Sequence, residues 1–276
     1  MSEVIMPKYG KDHLGIGAAQ LTPIALLPGD PARVFEIASQ WDSCEEVGGN
    51  REYLTITGSY KGLKLTACST GMGSASTEVA MIELFQHGVR NFIRVGTSGG
   101  LGPAIDPGDL IIVSGAVRYS GAADAYVPAN YPAVAHHEMV LALIEAAESP
   151  NYRYHVGIGL SLDSFYATKT KLIRGTAFPS EIESELSKWI SAGVLQLDME
   201  TAIIFILATM LGAKAGAICT AGSNLLKQQF AKEPLSNLPA IEVANEAATL
   251  INLWNTLVKR PGHYFYPSLI TAVKEE

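Results

Sequence analysis

Cysteine is scarce in this chain of 276 residues: Cys44, Cys68 and Cys219 are odd in number, far apart and form no CxxC pair. That pattern excludes a disulfide framework and a structural zinc site, and predicts three buried small hydrophobic side chains in a reducing compartment. Long apolar runs are missing too. The longest, Thr201 to Met210, is about half of what a bilayer needs, so no membrane segment is expected. The opening residues, MSEVIMPKYGKDHLGIG, carry Lys8 and Lys11 with no apolar stretch behind them, which is not a secretory pattern. The expected location is the cytoplasm, with no membrane partner. Cations are not clustered. With a net charge of −7 and no Lys/Arg patch, nucleic acid is not an expected partner either. No glycine-rich loop ends in Gly-Lys-Ser/Thr, which excludes a Walker A site, and none fits the dinucleotide fingerprint with its later ribose-binding acid. Repeats, low-complexity tracts and convincing linkers are also lacking.

What is present is a chain that can bury a substantial core, 48% of its residues being hydrophobic. Apolar runs of strand length alternate with helical patterns. Strands are expected at Ile24–Leu27, Tyr53–Thr57, Leu63–Thr70, Phe92–Val95, Leu110–Val117, Tyr154–Leu162, Val194–Leu197 and Ala215–Cys219, the second and third forming a hairpin. Helices are expected at Pro31–Gln40, from Ser74 to about His87, and at His136–Ala147, Ser180–Ser191, Glu200–Leu211 and about Ile241–Leu257. The alternation predicts an α/β fold of one domain over 1–276, with a central mixed β-sheet flanked by helices in three layers. The tail, 261–276, begins with a Pro-Gly breaker and is expected to pack on the surface or at a subunit contact.

Ligands in such sheets gather beyond the carboxyl ends of strands, and four segments here carry suitable groups. In Leu27-Pro28-Gly29-Asp30-Pro31-Ala32-Arg33, Gly29 admits a ligand to the backbone and Arg33 offers a fork to an anion; the alternative is a plain capped turn with a surface arginine. In Arg94-Val95-Gly96-Thr97-Ser98-Gly99-Gly100, Arg94 is a charge inside an apolar strand, so it needs an anion, either a carboxylate of the protein or a bound ligand. Thr97 adds a hydroxyl. Ser69-Thr70-Gly71-Met72-Gly73-Ser74 is either a second anion nest or a close-packing turn. In Leu197-Asp198-Met199-Glu200-Thr201-Ala202, Glu200 opens a strongly apolar helix. A carboxylate there suits two adjacent hydroxyls, as in ribose, or else is ordinary first-turn charge. Asp198 reads as structural. Phosphate at one end and a vicinal diol at the other is the combination these pieces describe.

The strings LPGDPARV, REYLTITG, STGMG, IRVGTSGG, LDSFYA and DMETA, in this order, resemble the uridine phosphorylase branch of the hexameric nucleoside phosphorylases, over roughly residues 12 to 257. The resemblance implies a pentosyltransferase that cleaves a nucleoside, uridine first, with inorganic phosphate as co-substrate and no other cofactor. It implies dimers building a homohexamer. Phosphate would be held by Gly29, Arg33, Arg94 and Thr97, with Arg51 reaching across to a neighbouring subunit's phosphate. His13 would likewise serve the partner's ribose 5′-hydroxyl, Met199 and Glu200 the ribose, and Phe165 the base. Arg94 and Glu200 would be the catalytic pair. Glu52, Met72 and Ser76 match positions where some members bind potassium between subunits.

Two departures bear on the base. Pyrimidine-specific relatives carry a glutamine and an arginine just after the Phe-Tyr dipeptide, where this chain has Lys169 and Lys171. Lysine donates to a carbonyl but cannot accept from a ring N–H. Purine-specific relatives carry an aspartate where this chain has Ser223. A purine nucleoside phosphorylase is therefore the alternative substrate reading. A nucleoside hydrolase and a non-catalytic nucleoside-binding protein are the rivals of other classes.

Overall fold

The computed structural model describes residues 12–17, 21–166, 181–231, 234–258 and 263–270. Strand β1 (Ile24–Leu27) is buried along its whole length and leads into helix α1 (Pro31–Ala38). The Asp30 carboxylate accepts from the Ala32 N–H at 2.9 Å and Pro31 occupies the first turn, where its missing N–H has no cost. Strands β2 (Ser43–Asn50), β3 (Tyr53–Tyr60) and β4 (Leu63–Cys68) form an antiparallel meander whose last member joins β1 in parallel. Helix α2 (Ser74–Gln86) then leads to the long strand β5 (Asn91–Gly100).

The second half contains β6 (Leu110–Tyr119), the short α3 (Gly121–Asp124), β7 (Ala133–Val134), α4 (His137–Glu148) and β8 (Tyr154–Leu162). It continues through α5 (Glu181–Ser191), β9 (Gln196–Asp198), α6 (Thr201–Leu211), β10 (Lys214–Asn224), β11 (Gln229–Phe230) and α7 (Leu238–Leu257). All of these strands belong to one mixed sheet. Within it β5, β10, β6, β8 and β9 pair in a closed ring, since β10 pairs with both β5 and β6 and β9 pairs with both β8 and β5.

Period-2 alternation sorts the strand side chains into two cores. Ile24, Leu26, Ile93, Val95, Ile112 and Ile218 face α1, α4 and α7, while Ala25, Leu27, Phe92, Ile111, Val113 and Ala217 face α2 and α6. These are the helix–sheet–helix layers expected from the sequence. Helix α6 is buried from Thr201 through Ala208, as an all-apolar helix must be, and it ends at Gly212 in the left-handed conformation. Among the described residues no helix is long and apolar enough to cross a membrane. Phe265, in the tail, is buried with its ring stacked on Trp254 at 4.0 Å.

The site is prepared by a change of partner along β5. Its first half pairs with β1, ending at Leu27↔Arg94; its end pairs with β9, beginning at Gly99↔Leu197. Between those registers the β1-side edge of β5 has no strand against it, and the backbone groups there need other partners.

Candidate active site

A cavity of about 700 Å³ opens where β1 and β5 part. Gly29 and Arg33 come to it from the β1–α1 turn, Arg94, Thr97 and Ser98 from β5, and Met199 and Glu200 from the β9–α6 junction. Phe165 and Ser223 stand in the same wall with Leu225 and Phe230, and Met72 and Glu52 lie on its rim. Segments distant in sequence thus meet around one space.

Arg33 is anchored by the partner change in β5. Its Nη1 donates to Val95 O at 3.1 Å, a carbonyl that β1 no longer reaches, and its Nη2 donates to Thr97 Oγ1 at 2.9 Å. The buried Nε has no partner among the described residues. Burial, and then the nearby Arg94 cation, push the Arg33 guanidinium below its ordinary pKa. Two cations side by side with a donor unspent describe a place for an anion.

Arg94 is only 3% exposed. Phe92 on the same strand face points to α2 and α6, and Arg94 follows it by two residues, so its side chain reaches the start of α6. There Nε donates to Asp198 Oδ2 at 2.9 Å and Nη2 pairs with Glu200 Oε2 at 2.7 Å. Burial works against the cation, but Glu200 and Asp198 together outweigh it and raise its pKa above the ordinary value. The question left open by the sequence is answered in both directions: Arg94 has internal carboxylates, and it also lines the cavity.

The guanidinium lies against Gly96. A Cβ there would stand 2.8 Å from Arg94 Nη2, 2.9 Å from Cζ and 2.8 Å from Cys219 Sγ, contacts that no side chain tolerates. Burial pushes the Cys219 thiol up to about 12, so beneath the arginines it stays protonated and is no nucleophile.

Glu200 is held by its other oxygen too: Oε1 accepts from the Gly73 N–H at 2.6 Å. Gly73 has φ +89°, a conformation that glycine adopts without strain, and it turns that N–H toward the carboxylate just before α2. The Gly73 N–H of the Ser69–Ser74 segment is thus given to a carboxylate of the protein. Burial raises the Glu200 carboxyl above its ordinary pKa, Arg94 pulls the other way, and Asp198 adds to the rise.

His13, Arg51 and Ser76 lie apart from the cavity. His13 is about half exposed, and its Nδ1 donates to Glu83 Oε1 at 2.5 Å. Arg51 occupies the exposed tip of the β2–β3 hairpin with φ +56°. Neither borders this chain's own cavity. Ser76 Oγ donates to Glu52 Oε1 at 3.0 Å, and the Met72 side chain is 74% exposed. Lys169 and Lys171 fall outside the described residues. The sequence reading missed the tie from Asp198 to Arg94, and the wall formed by Leu225 and Phe230. An acid in a strand-to-helix turn, or an apolar residue after a strand, gives no signal of what it will touch.

A family model described as the phosphorylase superfamily matches residues 23–253. A uridine phosphorylase of Thermococcus kodakarensis is 41% identical over 250 residues, covering 91% of this chain and 90% of that protein. A guanosine phosphorylase of Halorubrum lacusprofundi is 38% identical over 214 residues, 78% of this chain and 83% of its own length. The uridine phosphorylase of Escherichia coli is 34% identical over 228 residues, 82% of this chain and 90% of its own.

Proposed function

The chain belongs to the phosphorylase superfamily, and from that premise we propose that it is a nucleoside phosphorylase, a pentosyltransferase that uses inorganic phosphate to cut the N-glycosidic bond of uridine. The observation that carries the reading is the convergence of Arg33, Arg94 and Thr97 beside Glu200 in one cavity. The relatives named uridine phosphorylase support the pyrimidine. The guanosine phosphorylase relative keeps a purine nucleoside as the second substrate to try.

In this reading phosphate sits against Gly29, the free Nε of Arg33, the outer edge of Arg94 and the Thr97 hydroxyl. Glu200, aided by Met199, accepts from the ribose 2′ and 3′ hydroxyls with the lone pairs that Gly73 and Arg94 leave. Phe165 and Ser223 meet the base, together with Lys169 and Lys171. Holding both substrates converts a bimolecular encounter into an oriented one, worth up to roughly 7–11 kcal/mol of barrier in favourable cases. As the bond to the base stretches, positive charge develops on the sugar and negative charge on the base. The phosphate dianion stabilises the first, and donors at the base end, Ser223 among them, stabilise the second. The products are free base and ribose 1-phosphate.

The reading extends to a cytoplasmic enzyme assembled as dimers within a homohexamer, with Arg51 and His13 completing a neighbour's site. Arg33 and Arg94 are offset by Asp198 and Glu200, so a dianion calls for a further cation; Arg51 supplies it from outside. Glu52 and Ser76 provide oxygen donors of the kind potassium takes, a partial set that a second chain would complete.

The test is a panel of nucleosides incubated with and without phosphate and read by chromatography for free base. Uridine is expected to be cleaved only with phosphate. Cleavage at full rate in its absence would make the protein a hydrolase. Arg94→Ala is expected to lower kcat/KM by roughly two to three orders of magnitude, as loss of a transition-state donor does; near-wild-type turnover would remove Arg94 from the site.

A further inference from the structure

Asp198 is more heavily hydrogen-bonded than a turn residue needs to be. Its Oδ2 accepts from Arg94 Nε at 2.9 Å, from the Thr201 N–H at 3.1 Å and from the Thr201 hydroxyl. Its Oδ1 accepts from Ser161 Oγ at 2.6 Å. Ser161 stands opposite Asp198 in the β8–β9 register, and its oxygen accepts in turn from the Ala202 N–H at 3.0 Å. The carboxylate is therefore tied at once to β5, β8 and the first turn of α6.

We infer that Asp198, held by Ser161, is a positioning residue of the reaction: it sets the plane of the Arg94 guanidinium so that the Nη1–Nη2 edge is presented to phosphate. This rests on the phosphorolytic reading above. The guanidinium is a rigid planar fork with five donors. Its Nε and one Nη2 hydrogen are taken by two different carboxylates, which pins the plane at two points and leaves the opposite edge for the cavity that Arg94 lines. Glu200 alone would be a single-point hold that permits rotation. The charge of Asp198 is no help to an anion, since a carboxylate beside a phosphate site repels the ligand. What it contributes is geometry, carried from three elements to one side chain.

That conflict of sign makes the inference testable. Asp198→Asn keeps the size and removes the charge, but it turns one of the two acceptor oxygens into an amide NH2, so the four donors can no longer all be met. If the residue acted through charge alone, turnover would be unchanged or improved. With a positioning role, kcat for uridine phosphorolysis falls by about 10- to 100-fold, the effect of a misplaced group of about 1 Å. The KM for uridine stays within about threefold and the melting temperature within a few degrees. Ser161→Ala removes one of the four donors and is expected to lower kcat by about three- to tenfold with the same unchanged KM for uridine; it serves as the readout if Asp198→Asn does not fold. A wild-type kcat in a folded Asp198→Asn protein overturns the inference. So does a kcat loss matched by proportional losses in melting temperature and uridine affinity, which would be a merely structural role. If the wild-type protein releases no base from any nucleoside with phosphate, the functional reading fails first and the inference with it.

Discussion

A single methyl group at position 96 would strike the guanidinium of Arg94 from below, and nothing in that contact is free to move. Arg94 is locked by Asp198 and Glu200, and the sulfur of Cys219 closes the other side. Gly96→Ala is expected to cost 100-fold or more in kcat/KM for phosphorolysis by displacing the cation. Steady-state kinetics on the purified variant would test this, and activity within threefold of wild type would show that Arg94 tolerates the shift. At this scale the sequence was legible where a residue contradicts its surroundings. Arg94 inside an apolar strand, and Glu200 at the head of an apolar helix, each announce a polar purpose because burial of an unpaired charge costs several kcal/mol. Asp198 and Ser161 contradict nothing around them, so their role came only from distances.

Helix α4 begins at a histidine that has to stay neutral. His136 Nδ1 accepts from the Glu138 N–H at 3.3 Å as the helix cap, and its ring stacks on His137 at 4.7 Å between centroids. Burial pushes its pKa down to about 4; Glu138 opposes the shift, while Lys214 and His137 add to it. A histidine with a lowered folded-state pKa stabilises the fold fully above its ordinary value near 6.5. That contribution is lost as pH falls from there toward 4, because the unfolded chain takes up the proton first. The shift would be worth roughly 3 kcal/mol in full burial; with the ring partly exposed, screening leaves roughly 1–2 kcal/mol. Urea unfolding from pH 7 to pH 4 should show this share of the decline in the native protein and not in His136→Asn, which keeps a capping oxygen without a titrating group. Equal slopes in the two would refute it.

Most elements were readable from periodicity, with ends shifted by a few residues, for reasons that can be named. β5 and β10 run to Gly100 and Asn224, well past Val95 and Cys219, because their last residues are Gly, Ser and Thr. Those residues lack apolar alternation; they stay in the sheet through the ladder, with the Asn224 amide donating to the Gly102 and Ile105 carbonyls. β2, Ser43–Asn50, is an exposed edge strand with no apolar pattern to find.

For the whole molecule the decisive prediction concerns what one chain lacks. Arg51, exposed at a hairpin tip, and His13, turned to Glu83, do not border their own cavity. If Arg51 serves a neighbour, Arg51→Ala and Arg94→Ala are each inactive alone. Co-expressed with separate tags and purified as mixed assemblies, they regain a substantial fraction of wild-type turnover, since one site in a mixed pair has both arginines. Mixed assemblies as inactive as either parent would place Arg51 outside the reaction. The three-layer fold was legible because alternation and helix length dictate it. Partnership between chains was legible only through the resemblance, since an exposed arginine in a turn says nothing by itself.

The parting of β1 from β5 has a consequence for how such a protein can change. One side of the cavity is main chain with two arginines, Arg33 tied to the Val95 carbonyl and Arg94 to the carboxylates of Asp198 and Glu200, and it is specified by where one strand exchanges neighbours. The opposite wall comes from other stretches altogether, Phe165 on one and Ser223, Leu225 and Phe230 on another. On the phosphorolytic reading proposed above, substitutions in that wall retool the preferred nucleobase while the machinery facing it stays intact.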